Sequence, residues 1–442
     1  MSRLQPSRRA VLKLALAAPM VSMAGQPVRA AEPQWKKFSG TTLEVNLLRG
    51  FRAEILQKHE KEFTDLTGIK VSSEQIPEQQ QRQKAVIELA SGKPSFDVLH
   101  LSYHVQKRQF DKAGWLADFS GFIKDPNLTA PDLVESDFSN AGRQYAKNDK
   151  GELRSLPFSA DYFIMYWNKE LFAKKGLRYP ETFEQLVSTA EALTDPGAGT
   201  YGFVARGLRN ANIPVWSTFM LGYGGEFIGP NGELLSDSAE AIDAAKLYQR
   251  LMTKSAPPGV AGFNWSECQS AFVQGKVAMW PDGVGFAPTG EDPEKSRVVG
   301  KVGYGVMPRG PKAHHAISSG DGIGVAQAST KKEAGYLYCQ WAVSKVMCGR
   351  LLQSGGGVPF RDSVLADAEI RKGVKLPTEW VEAVAASAKI AKSGFPPVMP
   401  VTEYRDIIGT ALTATLGGGD PATEMKKATE QFKPILERSE KT

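Results

Sequence analysis

The histidines are the first candidates for chemistry, because an imidazole can bind a metal or transfer a proton. His100 and His104 have the i, i+4 spacing that places two ligands on one face of a helix. His100, however, is expected to end a strand, and no acidic residue or cysteine follows in register. The adjacent His314 and His315 lie in a polar stretch typical of a solvated loop. We therefore expect no metal site.

Motifs of the common enzyme classes are missing from the sequence. There is no glycine-rich loop ending in Gly-Lys-Ser/Thr, no G-x-S-x-G and no H-E-x-x-H. Residues 320–324 read G-D-G-I-G, but they precede a predicted strand, whereas a dinucleotide-binding loop must follow one. The sequence therefore predicts neither a cofactor nor an enzyme.

The three cysteines, Cys268, Cys339 and Cys348, leave at least one free thiol because their number is odd. Cys339 and Cys348 share a stretch with a helical pattern. Along a helix that rises ~1.5 Å per residue they would lie roughly 13 Å apart, too far for a disulfide. We expect all three to be small buried hydrophobic side chains.

The first thirty residues have the pattern of an export signal. Residues 7–13 read S-R-R-A-V-L-K and resemble the twin-arginine signal S-R-R-x-F-L-K. A short apolar stretch at 14–24 follows, and then V-R-A at 28–30, which suits cleavage after Ala30 or Ala31. The sequence thus predicts periplasmic export by a twin-arginine signal peptide, with a plain secretory signal as the alternative. No later segment is apolar over ~20 residues, so no transmembrane helix is expected.

Charge gives no case for nucleic acid as a partner. The 442-residue chain has a formal net charge of +6, but residues 1–30 contain five basic residues and no acidic one. Without them the charge is +1 on 412 residues, and a near-neutral chain has no bulk attraction for phosphates. With 42% hydrophobic residues, this length favours a soluble protein of two domains.

The elements that must position any site begin with a β-α-β-α-β alternation. Its strands are predicted at 41–48, 69–71 and 96–101, and its helices at 53–67 and 78–90. This alternation is typical of a parallel sheet with helices on its faces. Ligands bind at the edge where the strands of such sheets end.

A second α/β region begins near Phe158. The remaining predicted strands are at 162–167, 277–280, 303–307 and 323–325, and the helices are at 182–193, 238–252, 266–273, 332–345 and 422–436. Thr182 is expected to cap its helix. Without a clean linker between the regions, the two domains are expected to exchange segments.

Several motifs occur in a recognisable order along the chain. Residues 156–172 read L-P-F-S-A-D-Y-F-I-M-Y-W-N-K-E-L-F and follow the pattern L-P-x-x-x-D-x-x-x-x-Y-Y-N-K-x-L-F. Residues 271–279 read A-F-V-Q-G-K-V-A-M and follow A-F-x-x-G-K-x-A-M, and weaker matches lie at 60–71, 96–99, 113–116 and 303–308. As an ordered set they resemble the sugar-binding subunits of bacterial ABC importers, the class related to maltose-binding protein.

The resemblance implies an α/β fold of the two-lobe periplasmic binding protein type, with segment-exchanged lobes joined by a multi-stranded hinge. Lobe 1 is then expected at 31–157 and 318–372, and lobe 2 at 158–317 and 373–442. It implies a monomer that captures a small-molecule sugar or polyol and presents it to membrane permease subunits, without a cofactor and without catalysis.

The resemblance also suggests ligand-binding residues. Asp161 matches the acidic position where the chain crosses between lobes, and its alternative role is to cap a hinge turn. Trp280 and Asp282 follow a strand in a part of the chain that the class directs into the cleft, although Trp280 could equally be core. The further candidates are Tyr404 with Glu403, Trp216, Gly320, Asp321, Arg49 and Arg361.

Two alternatives to a sugar-binding subunit stay open at this point. An exported glycosidase would use two carboxylates about 5–10 Å apart, and Asp161 with Asp282 would be that pair. A protein that presents its ligand to a chemoreceptor would have the same fold. We expect a neutral ligand, because the candidate acidic residues outnumber Arg49 and Arg361; an anionic ligand would instead use those arginines.

Overall fold

The computed structural model describes residues 33–441, and the predicted export signal lies outside the described residues. Its strands are β1 Thr42–Leu48, β2 Lys70–Ile76, β3 Val98–Ser102, β4 Leu156–Asn168, β5 Met279–Gly283, β6 Val302–Gly305, β7 Ala316–Val325, β8 Val358–Pro359 and β9 Ala391–Ser393.

The α-helices surround the strands. They are α1 Phe51–Thr67, α2 Glu78–Ala90, α3 Tyr103–Ala113, α4 Asn140–Ala146, α5 Lys169–Lys175, α6 Phe183–Leu193, α7 Ile213–Gly222, α8 Ala239–Lys254, α9 Trp265–Val273, α10 Ala287–Gly290, α11 Lys332–Ala342, α12 Lys345–Ser354, α13 Asp362–Ala366, α14 Ala368–Lys372, α15 Thr378–Lys389, α16 Val401–Leu416 and α17 Pro421–Lys441.

The first three strands form the parallel sheet that the alternation predicts. β1 lies between β2 and β3 and is parallel to both, and α1 and α2 make the crossovers. All five residues of β3 are buried, as expected for a strand covered on both faces. The carboxyl ends of these strands lie at one edge, so α1, α2 and α3 all begin there.

Two long strands are shared by both halves of the sheet. Residues 156–162 of β4 pair with β7, whereas residues 163–168 pair with β5 and β6. β7 in turn pairs with β3, β4 and β9. The sheet order is β2-β1-β3-β7-β4-β5. A hinge of continuous strands therefore joins two lobes.

The helices divide between these two parts. α11 packs on β7 and β3 and α12 packs on α1, whereas α15 packs on β6 and both α16 and α17 pack on α8. We call the part around β1–β3, α1–α4 and α11–α14 the first lobe. The part around β5, β6, α5–α10 and α15–α17 is the second lobe.

Both shared strands are longer than their sequence pattern predicts. β4 begins at Leu156 rather than 162, because a register shift between Pro157 and Ser159 accommodates a proline without breaking the strand. β7 begins at Ala316 rather than 323. Its polar, glycine-rich residues 318–322 are held as a strand by neighbours on both sides.

Two smaller expectations, a helix cap and the burial of the three cysteines, are also confirmed. The Thr182 side chain caps α6 by accepting a hydrogen bond from the backbone N–H of Gln185. Cys268, Cys339 and Cys348 are free and buried. Among residues 33–441 no helix is both long and apolar enough to span a membrane.

Candidate functional site

Charged side chains meet where the hinge strands pass between the lobes. Arg52, in the first turn of α1, donates from Nη1 to Oδ2 of Asp321 on β7 at 2.6 Å. Its Nη2 lies 3.2 Å from Oδ2 of Asp161 on β4. His100 on β3 places Nε2 3.4 Å from Asp321 Oδ2. One guanidinium therefore links the edge of the first lobe to both hinge strands.

Glycines allow the second lobe to approach this group. A Cβ on Gly283 would lie only 2.6 Å from Oδ2 of Asp161. A Cβ on Gly285 would lie 2.9 Å from the backbone oxygen of Gly356 and 3.7 Å from Nη2 of Arg52. The distances of 2.6 Å at position 283 and 2.9 Å at position 285 are shorter than a real Cβ atom permits. Both positions therefore require glycine where the backbones of the two lobes meet.

A second charged group begins at the start of α2. Oε1 of Glu78 lies 2.7 Å from Nη1 of Arg82, and Nη2 of Arg82 donates to Ser102 Oγ at 3.0 Å. Glu78 also interacts electrostatically with Arg206 and Arg405 of the second lobe. The group therefore spans the two lobes.

An aromatic contact accompanies it. The His104 ring, at the start of α3, stacks on the Phe395 ring with 4.8 Å between the ring centres. The guanidinium carbon of Arg405 lies 5.1 Å from the centre of the Phe395 ring. A groove of about 1020 Å³ opens beside His104 and Phe395, between α3 and the segment at 392–401. This contact is therefore one edge of an open space between the lobes.

The third group lies in the second lobe. Arg206 donates from Nε to Asp282 Oδ2 at 3.0 Å and from Nη2 to Asp282 Oδ1, and Trp280 Nε1 donates to Asp282 Oδ2 at 3.2 Å. Asp282 is fully buried on β5. This is a two-point guanidinium–carboxylate pair, which holds Arg206 in one orientation.

The loop that carries Arg206 has a distinctive backbone. Asn210 has φ 70°, in the left-handed region that asparagine tolerates better than most residues. Its side chain donates to Asp406 at 2.8 Å and accepts from Gln79 Nε2 of the first lobe at 3.2 Å. Its backbone oxygen accepts from Arg405 Nε at 3.1 Å. The loop is thus fixed to α16 and touches the first lobe.

We call these ten residues the interlobe cluster: Arg52, Glu78, Arg82, His100, His104, Asp161, Arg206, Asp282, Asp321 and Arg405. It contains four arginines and four carboxylates, so their charges balance. Within this cluster the carboxylates therefore do not outnumber the arginines, although the sequence had led us to expect that they would, and the charge of the ligand stays a prediction.

The electrostatics of the cluster follow from burial and from pairing. Burial raises the pKa of Asp161, an effect that Arg52 only partly offsets. For Glu78, burial opposes ionisation, but Arg82, Arg405 and Arg206 outweigh it and lower its pKa to about 2. Burial, reinforced by Arg82, lowers the pKa of His104 to about 3. At neutral pH His104 is therefore uncharged.

Several polar atoms of the cluster have no hydrogen-bond partner within the described part of the chain. They are Nε of Arg52, Nε of Arg82, Nδ1 of His100, Nδ1 of His104 and Oδ1 of Asp161. Buried polar atoms are normally paired, so their concentration at one place indicates a binding site. Both donors and acceptors are present, which suits hydroxyl groups.

The structure brings three of the sequence-predicted residues together: Asp161, Asp282 and Asp321. Trp280 adjoins them, but it is 1% exposed and stacks on Tyr166 at 4.9 Å. Gly320 lies on β7, where a Cβ would lie 2.9 Å from the ring of Phe360.

The other predicted residues lie elsewhere. Arg49 and Glu403 are exposed. Trp216 and Tyr404 are fully buried, with Trp216 Nε1 donating to the Ala241 backbone oxygen and Tyr404 Oη 2.8 Å from Ser236 Oγ. Arg361 is fully buried in the first lobe, where Nε donates to Asp137 Oδ2 at 2.7 Å. Trp216, Tyr404 and Arg361 are therefore not brought to the cluster, whereas a binding role for the exposed Arg49 and Glu403 stays a prediction.

Sequence reasoning missed five members of the cluster: Arg52, Glu78, Arg82, Arg206 and Arg405. Arg52 and Glu78 carry a usable signal, because each lies within the first turn of a helix that follows a parallel strand. Arg206 and Arg405 lie in a loop and a late helix, and their positions depend on tertiary packing. Of the two histidines considered for a metal, His100 contacts Asp321 and His104 stacks on Phe395.

The chain matches the family model described as bacterial extracellular solute-binding protein over residues 45–346. It is 27% identical over 344 residues to the probable amino-acid ABC transporter periplasmic-binding protein y4oP of Sinorhizobium fredii, covering 76% of each chain. It is also 27% identical over 317 residues to the mannitol-binding protein of Pseudomonas aeruginosa, covering 70% of this chain and 68% of that one.

The fold has a close match among solved structures. An ABC transporter solute-binding protein from Agrobacterium radiobacter, in complex with ribitol, superposes with a TM-score of 0.82 at 26% identity. The match covers 91% of this chain and all of that one. The two-lobe arrangement with shared hinge strands is therefore the fold of periplasmic solute-binding proteins.

Proposed function

Because the chain belongs to the family of bacterial extracellular solute-binding proteins, we propose that it is the periplasmic substrate-binding subunit of an ABC importer. Its ligand is a sugar or polyol held between the lobes. One observation carries the proposal: a charge-balanced interlobe cluster whose buried donors and acceptors are incompletely paired. The similarity to a mannitol-binding protein and to a structure with bound ribitol supports this ligand class.

The chemistry of the cluster suits hydroxyl groups. A hydroxyl donates one hydrogen bond and accepts others, so it can bridge an arginine to a carboxylate. Arg52 with Asp161 offers such a pair, because Nε of Arg52 and Oδ1 of Asp161 have no partner among the described residues. Hydrogen bonds to charged groups are worth about 1.5–3 kcal/mol each, and a few of them give micromolar affinity, which corresponds to about −8 kcal/mol.

Two lobes that hold different parts of one ligand close on it, because only the closed form makes both sets of contacts. We propose that the two moving lobes have the bounds predicted from the sequence. One lobe then comprises residues 31–157 and 318–372, and the other comprises residues 158–317 and 373–442. The shared strands β4 and β7 support a hinge at these crossings. A decrease in radius of gyration on ligand addition, measured by small-angle scattering, tests the closure.

Delivery to the periplasm is proposed to use the twin-arginine signal at residues 7–13. Replacing Arg8 and Arg9 together with lysine should leave precursor in the cytoplasm. Unchanged delivery would indicate a plain secretory signal instead. The exported protein is proposed to act as a monomer that meets the permease subunits of its importer.

The function is tested by a thermal-shift screen of residues 31–442 against sugars, polyols, sugar acids and amino acids. Ligand at 100 times its dissociation constant adds ~2.7 kcal/mol to stability, so a neutral sugar or polyol should raise the melting temperature. Amino acids are included because one relative bears an amino-acid transporter name. Stabilisation by amino acids alone, or turnover of a glycoside, would overturn the proposal.

A further inference from the structure

The carboxylate of Asp282 has no hydrogen-bonding capacity left for a ligand. Its Oδ1 accepts from the backbone N–H of Gly283 at 2.8 Å and from Nη2 of Arg206. Its Oδ2 accepts from Nε of Arg206 at 3.0 Å and from Nε1 of Trp280 at 3.2 Å. A carboxylate offers about four acceptor sites, and these four donors use them. The Asp282 side chain is also 0% exposed, so it has no accessible surface to present to a ligand.

The core of the second lobe holds Asp282 in place. Trp280, which donates to it, lies two residues earlier on β5 and stacks on Tyr166 of β4 with 4.9 Å between the ring centres. Tyr166 Oη donates to the backbone oxygen of Gly283 at 2.5 Å. Trp280 and Tyr166 are both almost completely buried. The orientation of the carboxylate is therefore set by core packing.

Arg206 keeps one guanidinium nitrogen for a further contact. Asp282 engages its Nε and Nη2, whereas its Nη1 makes no hydrogen bond within residues 33–441 and is not among the buried unpaired atoms. The side chain keeps 12% of its surface exposed. Its guanidinium carbon also lies 5.6 Å from the centre of the Phe163 ring. A two-point ion pair and an aromatic ring thus fix the group, and Nη1 is left as an accessible donor of fixed direction.

Arg206 lies opposite the first lobe. It interacts electrostatically with Glu78 at the start of α2. The loop that carries it touches α2 directly, because Asn210 Oδ1 accepts a hydrogen bond from Gln79 Nε2 at 3.2 Å. A ligand held between the lobes can therefore meet Nη1 of Arg206 from the side of the first lobe.

We propose that Arg206 binds the ligand through Nη1, and that Asp282 is a positioning residue that acts on the ligand only by holding this guanidinium. The inference rests on the proposed function and assigns separate roles to two residues of its site. A guanidinium that is already fixed loses less conformational entropy when it binds. Without Asp282, Arg206 can turn towards Glu78, and its donor is then lost to the ligand.

The test is a double-mutant cycle on ligand affinity, measured by isothermal titration calorimetry on residues 31–442 with mannitol as the probe. Arg206→Gln should weaken binding at least ~10-fold, the loss expected from one charge-assisted hydrogen bond. Asp282→Asn should weaken binding by a similar factor alone, but by less than ~2-fold in the Arg206→Gln variant, because the two residues act as one unit. The control Asp243→Asn, which changes an exposed carboxylate of α8, should leave the affinity unchanged.

Arg206→Lys separates orientation from charge. Lysine keeps a cation opposite Asp282 but cannot form the two-point pair, so this variant should fold and still bind at least ~10-fold more weakly. Circular dichroism checks the folding of each variant, and Arg206→Lys takes the place of Arg206→Gln in the cycle if the latter does not fold. If mannitol does not bind, the most stabilising sugar or polyol of the thermal-shift screen becomes the probe.

The outcomes distinguish the inference from the proposed function. Losses at Arg206 and Asp282 that multiply in the double variant would show that Asp282 contacts the ligand itself. Wild-type affinity in Arg206→Lys or in Asp282→Asn would show that the fixed orientation has no role. Either result overturns the inference alone, whereas a wild-type protein that binds no sugar or polyol overturns the proposed function together with it.

Discussion

Arg361 is fully buried and Arg52 is largely buried, but they differ in how many of their nitrogen atoms have hydrogen-bond partners. Arg361 donates from Nε to Asp137, from Nη1 to the backbone oxygen of Val343 and from Nη2 to that of Asp132. Arg52 donates to Asp321 and lies beside Asp161, yet its Nε is unpaired. Arg361 lies within one lobe, whereas Arg52 lies where both lobes meet.

The difference indicates that Arg361 stabilises the fold, whereas Arg52 is available to bind a ligand. A buried cation whose nitrogens all have partners has nothing left for a ligand, and removing it leaves its own anion unpaired. A buried cation with an unpaired donor retains capacity for a further hydrogen bond. The sequence suggested Arg361 as a ligand-binding residue and missed Arg52, and only the count of their hydrogen-bond partners in the structure distinguishes them.

The largest effect is expected on the free energy of unfolding when Arg361 is replaced. Arg361→Met should lower the free energy of unfolding by about 3 kcal/mol, because the partly buried Asp137 loses its guanidinium partner and keeps only the hydrogen bonds from Ser363. Ligand affinity of the folded fraction should not change. Urea denaturation measures the loss, and Arg350→Met, which breaks only a partly exposed pair with Glu62, should cost about 1 kcal/mol or less. Equal losses in both variants would contradict the distinction.

An intermediate effect is expected on ligand affinity when Asp161, the carboxylate beside Arg52, is replaced. Asp161→Asn should weaken ligand binding at least ~10-fold, or ~1.4 kcal/mol, since an acceptor for a hydroxyl and a partner of Arg52 are changed together. Stability should change little, because burial already disfavours the charged form of Asp161, as its raised pKa indicates. Calorimetry of the variant, beside Asp65→Asn on the exposed face of α1, measures this. Normal affinity in Asp161→Asn would move the binding site elsewhere.

The smallest effect concerns pH. The pKa of His104 is about 3 in the folded protein and about 6.5 in an unfolded chain. Below about pH 6.5 the unfolded state therefore binds a proton that the folded state does not, and stability falls as the pH falls. At pH 6 the loss should reach at most about 1 kcal/mol. His104 faces Arg82, Arg405, Glu78 and Asp321.

The measurement is the melting temperature between pH 5 and pH 7, a window above the range in which Glu78 titrates. His104→Gln should reduce the slope, and His59→Gln, on the side of α1 that contacts Glu62, should not. An unchanged slope in His104→Gln would show that His104 does not contribute to the pH dependence of stability.

The elements of the fold were largely predictable from local patterns, and the site only in part. α2 was predicted with its observed bounds, because the stretch Glu78–Ala90 consists almost entirely of residues that favour a helix, such as Glu, Gln, Lys, Ala and Leu. Asp161 and Asp282 were found through motif resemblance, and their role in binding stays a prediction. Tyr404 and Arg405 show what sequence cannot resolve: neighbours on one helix, the first packs into the core and the second reaches the other lobe.

The shared strand β7 has a consequence for how the chain folds during synthesis. β3 pairs on one side with β1 and on the other with β7, which follows it by more than 200 residues. Until β7 is made, the apolar strand β3 has an open edge, and such edges favour aggregation. Pairing over this separation is also slow to form. A nascent chain that ends before Ala316 therefore exposes an incomplete first lobe, and this lobe cannot be produced alone as one continuous fragment.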